Sequence, residues 1–558
     1  MPQFDEEKQL KKIDDIRLRE EEDLARILAE KYGILYVDLT VTTIDMDTLK
    51  LVSEETAKKA LLAPFHAVGK RLYVAVHSPK NTDTQFAITE LERQGYSIVL
   101  YMASTASLEH AWARYKEISF AQSEKAGIME ISNKDILYFL EQLKSTNELK
   151  SFVDEMIQNR EKVHQISRIL EIILAGAIST NASDIHIEPT EINARLRLRL
   201  DGVLHDITFF DTKTFKLILS RVKLVSGMKL NLSSVSQDGR FSVILGEIEI
   251  EIRSSILPGT YGEAIVMRIL NPNIINIPFS ALGIDDALRK VIQNQIEKPN
   301  GMILTTGPTG SGKTTSLYAF MREIYTPEVK IITIENPIEY HLPGIVQTQT
   351  DEKKGYTFYE GLKSSLRQDP DVIMIGEIRD NETAQTAVDA ALTGHLVFST
   401  LHTNNAAGVL PRLIGLGINP KIIGGALNLA LAQRLTRVLC GHCKKESAQT
   451  EEEKKTIDNI IHGMVTRKVE NHGKIWRPVG CPECNNTGYK GQIGLYEGII
   501  IDAIIEEILD KNPSDREIKV ASRHQGILDM REDGIVKVLN GVTCLEELYR
   551  VVDMSGDR

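Results

Sequence analysis

The sequence predicts a multidomain α/β protein: a parallel-sheet domain near its centre, preceded by two smaller α+β domains. Three observations carry that prediction. Residues 307–314 read Gly-Pro-Thr-Gly-Ser-Gly-Lys-Thr between an apolar strand-like run and a helical one. Over about residues 294–500, strand-like and helical segments alternate, as a parallel sheet with crossover helices requires. A chain of 558 residues is also too long for one hydrophobic core.

Composition sets limits. Hydrophobic residues make up 42% and charged residues 26%, ordinary for a water-exposed globular chain. The formal net charge of −11 argues against a general nucleic-acid binder, which carries a basic field. There is no apolar run of the roughly 18 residues that suggest a bilayer-spanning helix. The amino terminus lacks the form of a signal peptide. The expectation is a cytoplasmic protein without direct membrane insertion, whose contact with a membrane comes through a partner.

Residues 1–24 are highly charged and predict a solvated helix. From Leu24 the pattern becomes compact. Ala25–Leu28 reads as helix, and Tyr36–Leu39, Arg71–Val76 and Ser97–Tyr101 read as strands, so a small α+β domain is expected within 1–103. Residues 104–165 are polar and helix-prone, without proline, and predict a helical connector.

A second α+β domain is expected over 166–270, with a linker to 293. Its opening helix runs from Ile166 to Ser179, and a short strand follows in Asp184–Pro189. Residues 195–200 alternate Arg and Leu strictly, which in a strand puts Arg195, Arg197 and Arg199 on one face. Asp201-Gly202 signals a hairpin turn. Residues 247–253 alternate Glu and Ile in the same way. Two readings of the arginine face stand side by side: pairing across the sheet with those glutamates, or contact with a phosphate on a neighbouring subunit, with Arg253 and Arg268 as further candidates.

The third domain, 294–500, holds the glycine-rich loop. Met302-Ile303-Leu304 enters it as a strand and Thr315–Phe320 leaves it as a helix, the context a phosphate-binding loop requires. Gly307, Gly310 and Gly312, with Thr309, Ser311 and Thr315, would curl backbone N–H groups around a phosphate chain. Lys313 is suited to the β/γ-phosphates and Thr314 to Mg²⁺, so ATP is the expected ligand.

Hydrolysis needs further groups, and ligands sit at the carboxyl ends of such strands. The run Lys330–Ile334 leads into Glu335-Asn336-Pro337-Ile338-Glu339, and Asp371–Ile375 leads into Gly376-Glu377. Asp371 is at the wrong end of its strand. Glu377 is therefore the candidate for the metal shell, and Glu339 for positioning water. A third run, His395–Leu401, ends at His402, a candidate γ-phosphate sensor.

Four of the five cysteines form two Cys-x-x-Cys pairs, Cys440/Cys443 and Cys481/Cys484. Four thiolates suit tetrahedral Zn²⁺ in a closed, structural site. The insert between the pairs is long, so the fold has to bring them together. Cys544 reads as a plain buried thiol. The tail, 501–558, predicts short helices at Ile504–Leu509, Asp515–His524 and Leu545–Val552.

Taken together, residues 183–189 (Ser-Asp-Ile-His-Ile-Glu-Pro), 237–240 (Gln-Asp-Gly-Arg), the phosphate loop, 376–380, 400–404, 433–435 (Gln-Arg-Leu) and the four cysteines resemble the secretion and pilus-assembly ATPases of type II secretion systems and type IV pilus machines. The resemblance covers about Tyr36 to Val551. It implies a RecA-like P-loop core with a PAS-like α+β domain before it. It implies a homo-hexamer in which arginines of the second domain reach the neighbour's nucleotide in trans, with Glu339 as catalytic glutamate, 372–380 as the Walker B region and His402 in the His box. It also implies docking of the amino-terminal domain on an inner-membrane platform protein, and extrusion of pilin or pseudopilin subunits. The presence of that domain and of the cysteines favours an assembly or secretion motor over a retraction motor.

Three departures stand out. Asn336 replaces the family's usual Asp, and Gln492 replaces its usual Arg. Residues 1–35 lack the Arg-Leu-Gly…Leu pattern with which some relatives bind cyclic di-GMP, so that ligand is not expected. Two alternatives are a DNA-translocating or conjugative motor of the same fold, which the acidic charge argues against, and a nucleotide-gated scaffold that does not hydrolyse.

Overall fold

The structure is a computed structural model that describes residues 20–93, 95–115, 128–129, 139–140, 142–158, 164–245, 248–272, 276–465 and 467–554. The expectations for residues 1–19, and for most of the connector between 116 and 138, lie outside the described residues. The chain forms two compact units, Met1–Glu130 and Ile131–Arg558.

In the first unit, residues 20–32 are helical and four strands follow: β1 (Leu35–Tyr36), β2 (Leu62–Val68), β3 (Arg71–Val76) and β4 (Ser97–Met102), in the order β1-β4-β3-β2. The sequence pattern missed β2 because its register shifts between Pro64 and His66, which breaks the alternation. Helix α1 (Thr105–Ala113) lies inside the span expected as connector. It buries Leu108, Ala111 and Trp112 in the same core as Leu72 and Val74. The Trp112 indole donates to the Leu62 carbonyl at 3.0 Å.

The second unit opens with α2 (Thr146–Gln158) and α3 (His164–Ser179). An antiparallel sheet follows: β5 (Asp184–Pro189), β6 (Ala194–Leu200), β7 (Val203–Phe210), β8 (Gln237–Leu245), β9 (Ile248–Gly259) and β10 (Gly262–Leu270), in the order β8-β9-β10-β5-β6-β7. Asp201 and Gly202, both at positive φ, turn β6 into β7. Leu196, Leu198 and Leu200 are buried, and the arginines alternate with them on the other face.

The expected pairing of those arginines with the Glu/Ile strand does not form, because β5 and β10 stand between β6 and β9. The arginines instead meet acids on adjacent strands. Arg195 pairs with Asp206 and Arg197 with Glu188, both at 2.5 Å, and Arg199 with Asp184 at 3.2 Å. Alternation fixes which face a side chain takes, but strand order decides whom it meets.

The third sheet contains β11 (Gly301–Thr306), β12 (Ile331–Glu335), β13 (Val346–Gln349), β14 (Val372–Ile375), β15 (Leu396–Leu401), β16 (Leu427–Leu439) and β17 (Tyr489–Ile500), in the order β13-β12-β14-β15-β11-β16-β17. All neighbours are parallel except β16 and β17. β11 is buried along its whole length, and its residues divide between two cores. Met302 and Leu304 face Ile373, Ile375 and Val397, while Ile303 faces Met374 and Phe398. A strand buried on both faces reads as a continuous apolar run, which is why β11, β12, β14 and β15 were legible, while β13, β16 and β17 were not read.

Helix α4 (Asp286–Ile296), which begins in the expected linker and crosses its boundary at 293, packs Leu288, Ile292 and Ile296 into the second of these cores. The tail helices Ala503–Leu509, Asp515–Ser522, Met530–Leu539 and Leu545–Val551 pack into the first. Among them, Met530–Leu539 was not anticipated.

Candidate functional site

The carboxyl ends of four parallel strands converge on the glycine loop. β11 enters it, and α5 (Lys313–Ile324) leaves it directly after Gly312, whose φ of 86° an L-residue rarely adopts. At Gly307 a side chain has no room: a Cβ would lie 2.4 Å from the Gln433 carbonyl oxygen and 2.7 Å from Ser311 Oγ. Ser311 Oγ is itself buried and has no protein partner. Thr309 and Gly310 are exposed, while Lys313, Thr314 and Thr315 are half-buried on the first helical turn. The Lys313 ammonium donates to the carbonyls of Gly307 at 2.8 Å and Pro308 at 3.0 Å, so it lies folded over the loop. Burial lowers its pKa and the Glu377 carboxylate partly opposes this. A cationic group in partial desolvation, beside a ring of N–H donors and an orphaned hydroxyl, fits a phosphate chain.

Glu377 stands past the end of β14. Its carboxylate meets Arg379 at 2.6 Å and His402 Nε2 at 3.4 Å, and it is 14% exposed against 54% for His402. Thr306, the last residue of β11, ties this corner to the loop. Its hydroxyl donates within 3.0 Å of the Leu401 and Thr403 carbonyls and accepts from Thr403 N at 2.7 Å. Glu377, His402 and Lys313 are thus brought together. Asp371 caps the far end of the sheet, where its carboxylate accepts from Lys330 N at 2.7 Å.

Glu339 lies in the loop after β12. Its carboxylate meets Arg253 Nη1 from β9 of the same chain at 3.2 Å. Arg253 also bonds Glu251 at 3.0 Å and the Ile338 carbonyl. The register aligns Arg253 with Arg240 on one side and Arg268 on the other, making a row of three arginines across three strands. Arg268 is 57% exposed and pairs with Asp184 at 3.1 Å. Asn336 is exposed.

Sequence reasoning gave no role to Arg434 or Glu335. Arg434 reaches the loop from β16, bonding the carbonyls of Gln433 at 3.2 Å and Asn404 at 3.0 Å. The Gln-Arg-Leu motif was a signal for it, but which strand neighbours the loop is decided only by topology.

The two cysteine pairs meet. Cys440–Cys481 and Cys443–Cys484 are 3.8 Å apart between sulfurs, Cys481–Cys484 3.7 Å, and all four ligand atoms lie within 4.8 Å of one another. The backbone N–H groups of Gly480, Cys481 and Gly488 donate to sulfurs at 3.2–3.3 Å. Burial pushes the Cys484 thiol up, but the Cys481 and Gly488 amides together with the Cys481 and Cys443 thiols outweigh it and hold it at about 7. Such a donor set fits zinc. Beside it, Gly491 N donates to Asp201 Oδ1 at 3.0 Å and Gln492 Nε2 to the Asp201 carbonyl at 3.2 Å, which fastens the β6–β7 turn. Cys544 is buried and bonds the Tyr489 hydroxyl at 3.1 Å.

Residues 159–550 match the family described as type II/IV secretion system protein, and residues 32–122 match the MshEN domain. The chain is 37% identical over 531 residues to the type IV pilus assembly ATPase PilB of Myxococcus xanthus (strain DK1622), covering 95% of this chain and 91% of that protein. It is 45% identical over 386 residues to the type II secretion system protein E of Aeromonas hydrophila, covering 69% and 75%. In fold it resembles the Yersinia pseudotuberculosis ATPase DotB, with a TM-score of 0.50 at 19% identity over 69% of this chain and 93% of that one.

Proposed function

The chain belongs to the type II/IV secretion system protein family of ATPases, and from that premise we propose that it is a hexameric motor that couples Mg-ATP hydrolysis to extrusion of pilin or pseudopilin subunits. The observation that carries the reading is the glycine loop, with Lys313 folded over it and the Glu377–His402 pair facing Lys313. Each residue has a role that its position supports. The loop amides and Lys313 bind the phosphates, and Ser311 contributes its free hydroxyl. Mg²⁺, held by Thr314 with Glu377 in its shell, would neutralise charge on the β- and γ-phosphates. His402 senses the γ-phosphate through Glu377. Glu339 orients the attacking water.

Arg253 and Arg268 belong to a domain with an arginine face, and in a ring they act on the neighbour's nucleotide. The contact of Arg253 with Glu339 inside one chain describes a second state of the same arginine, in which its charge restrains the carboxylate. Exchange between the two would link nucleotide state to domain movement. The four cysteines hold zinc as a structural clamp.

The amino-terminal unit, matched to the MshEN domain, docks on an inner-membrane platform protein. Among the described residues no helix is long and apolar enough to cross a membrane, in keeping with a cytoplasmic protein held at the inner face by that partner. The test is native mass measurement together with phosphate release. A six-subunit particle formed with Mg-ATP, releasing phosphate, supports the proposal. A monomer that releases none, even with its platform protein, refutes it.

A further inference from the structure

Tyr318 is fully buried on α5, the helix that begins with Lys313 and Thr314, and the roles above leave it unused. Its hydroxyl donates to Glu335 Oε2. Glu335, the last residue of β12, is 2% exposed and also accepts from Thr333 Oγ1 at 2.5 Å and Gln347 Nε2 at 3.1 Å. The phenol oxygen in turn accepts from Gln347 Nε2 at 3.4 Å. The ring of Tyr340, next to Glu339, stands edge-on to Tyr318 with centroids 4.7 Å apart. Gln347 fastens the other side of this loop. Its Nε2 donates to the Tyr340 carbonyl at 3.1 Å, and its Oε1 accepts from Leu342 N at 2.7 Å.

We infer that Tyr318 is a positioning residue for hydrolysis, joining the phosphate-binding helix through one hydroxyl to the loop that carries Glu339. The inference rests on the assignment of Glu339 as the water-orienting group. Removing the hydroxyl takes one donor from the buried carboxylate at the start of the loop and an acceptor from Gln347, which holds the Tyr340 carbonyl, so the loop loses its fixed distance from α5. A displacement of the order of 1 Å in a reacting geometry lowers rate steeply. The loop amides and Lys313 are untouched, so binding of ATP is preserved.

The experiment compares Tyr318→Phe, Thr333→Val and Glu339→Gln in the full chain, reading kcat, KM for ATP, affinity for a fluorescent ATP analogue and Tm. Tyr318→Phe lowers kcat by about ten- to a hundredfold with KM and affinity unchanged. Thr333→Val removes a donor from the same carboxylate without touching the Glu339 loop, so it lowers Tm but keeps kcat. Wild-type kcat in Tyr318→Phe, or equal losses in both variants, overturns the inference. If Tyr318→Phe does not fold, Gln347→Met loosens the same loop from its other side. A matching fall in kcat supports the inference, and an unchanged kcat overturns it. Full turnover in Glu339→Gln removes the premise and the inference together. Lost turnover there, beside normal turnover in Tyr318→Phe, overturns the inference alone.

Discussion

Replacing Cys443 by Ser tests the metal clamp, and the geometry sets the size of the effect. Three of the six sulfur–sulfur distances are 3.7–3.8 Å and all are within 4.8 Å, close to the edges of a regular tetrahedron. The centre of such a tetrahedron lies about 2.3 Å from each corner, which is the Zn–S bond length. Zinc therefore enters without rearrangement, and its binding free energy acts almost wholly on the folded chain. Zinc-finger peptides gain about 10–16 kcal/mol on binding metal. Cys443→Ser removes one of four ligands, so the expected loss is a fraction of that, on the order of 4 kcal/mol. At roughly 2.1 cal/mol/K of unfolding entropy per residue, the large unit Ile131–Arg558 shifts by about 1 °C per kcal/mol, so Cys443→Ser lowers Tm by about 4 °C. The assay is elemental analysis with thermal denaturation of wild type and variant. The wild type carries one equivalent of zinc and the variant carries little. Wild-type protein with under about half an equivalent, or a variant with unchanged Tm, would refute the reasoning.

Other outcomes follow from the same packing. Gly307→Ala forces a Cβ against the Gln433 carbonyl and weakens ATP binding at least about tenfold, a cost of 1.4 kcal/mol or more. Gly310→Ala, whose Cβ would meet open space at φ +78°, weakens it less, and titration with a fluorescent nucleotide orders the two. Glu547 is 3% exposed and pairs with Arg437 and Arg550. Burial pushes its pKa up, but the two arginines outweigh it and hold it below the ordinary value. Its stabilisation is therefore present above the ordinary carboxylate pKa and is lost as pH falls through the lowered one. Glu547→Gln thus costs about 3–5 kcal/mol at pH 7 by leaving the Arg437 charge buried and unpaired. Denaturant melts of the two proteins converge in acid, and a gap that persists there would contradict the assignment.

Much of the candidate site's framework was legible because its strands are buried on both faces and its loop is a local motif. Glu377 and His402 lie just past the ends of apolar runs and Lys313 belongs to the local loop motif, while the strand order brings the three together. The arginines were only half legible. Alternation put Arg195, Arg197 and Arg199 on one face, but their partners Asp206, Glu188 and Asp184 depended on a strand order that no local pattern encodes. Arg253 was singled out for a neighbour's phosphate, whereas its contact with Glu339 joins positions far apart in the chain. Tyr318 and Glu335 read as ordinary residues of a helix and a strand end, because a buried hydrogen-bond network has no sequence period. The cysteines were legible as pairs, and their meeting needed the insert between them to fold back. Strand β2 and helix Met530–Leu539 went unread, the first because of a bulge at Pro64–His66, the second because charged residues occupy buried positions, among them Glu532, Asp533 and Lys537.

The most direct measurement is steady-state phosphate release by wild type and Glu339→Gln at saturating Mg-ATP, with nucleotide affinity measured alongside. The account predicts turnover in the wild type, and in the variant a rate at background with ATP still bound. Equal rates in the two proteins, or no release by the assembled wild type, would contradict it.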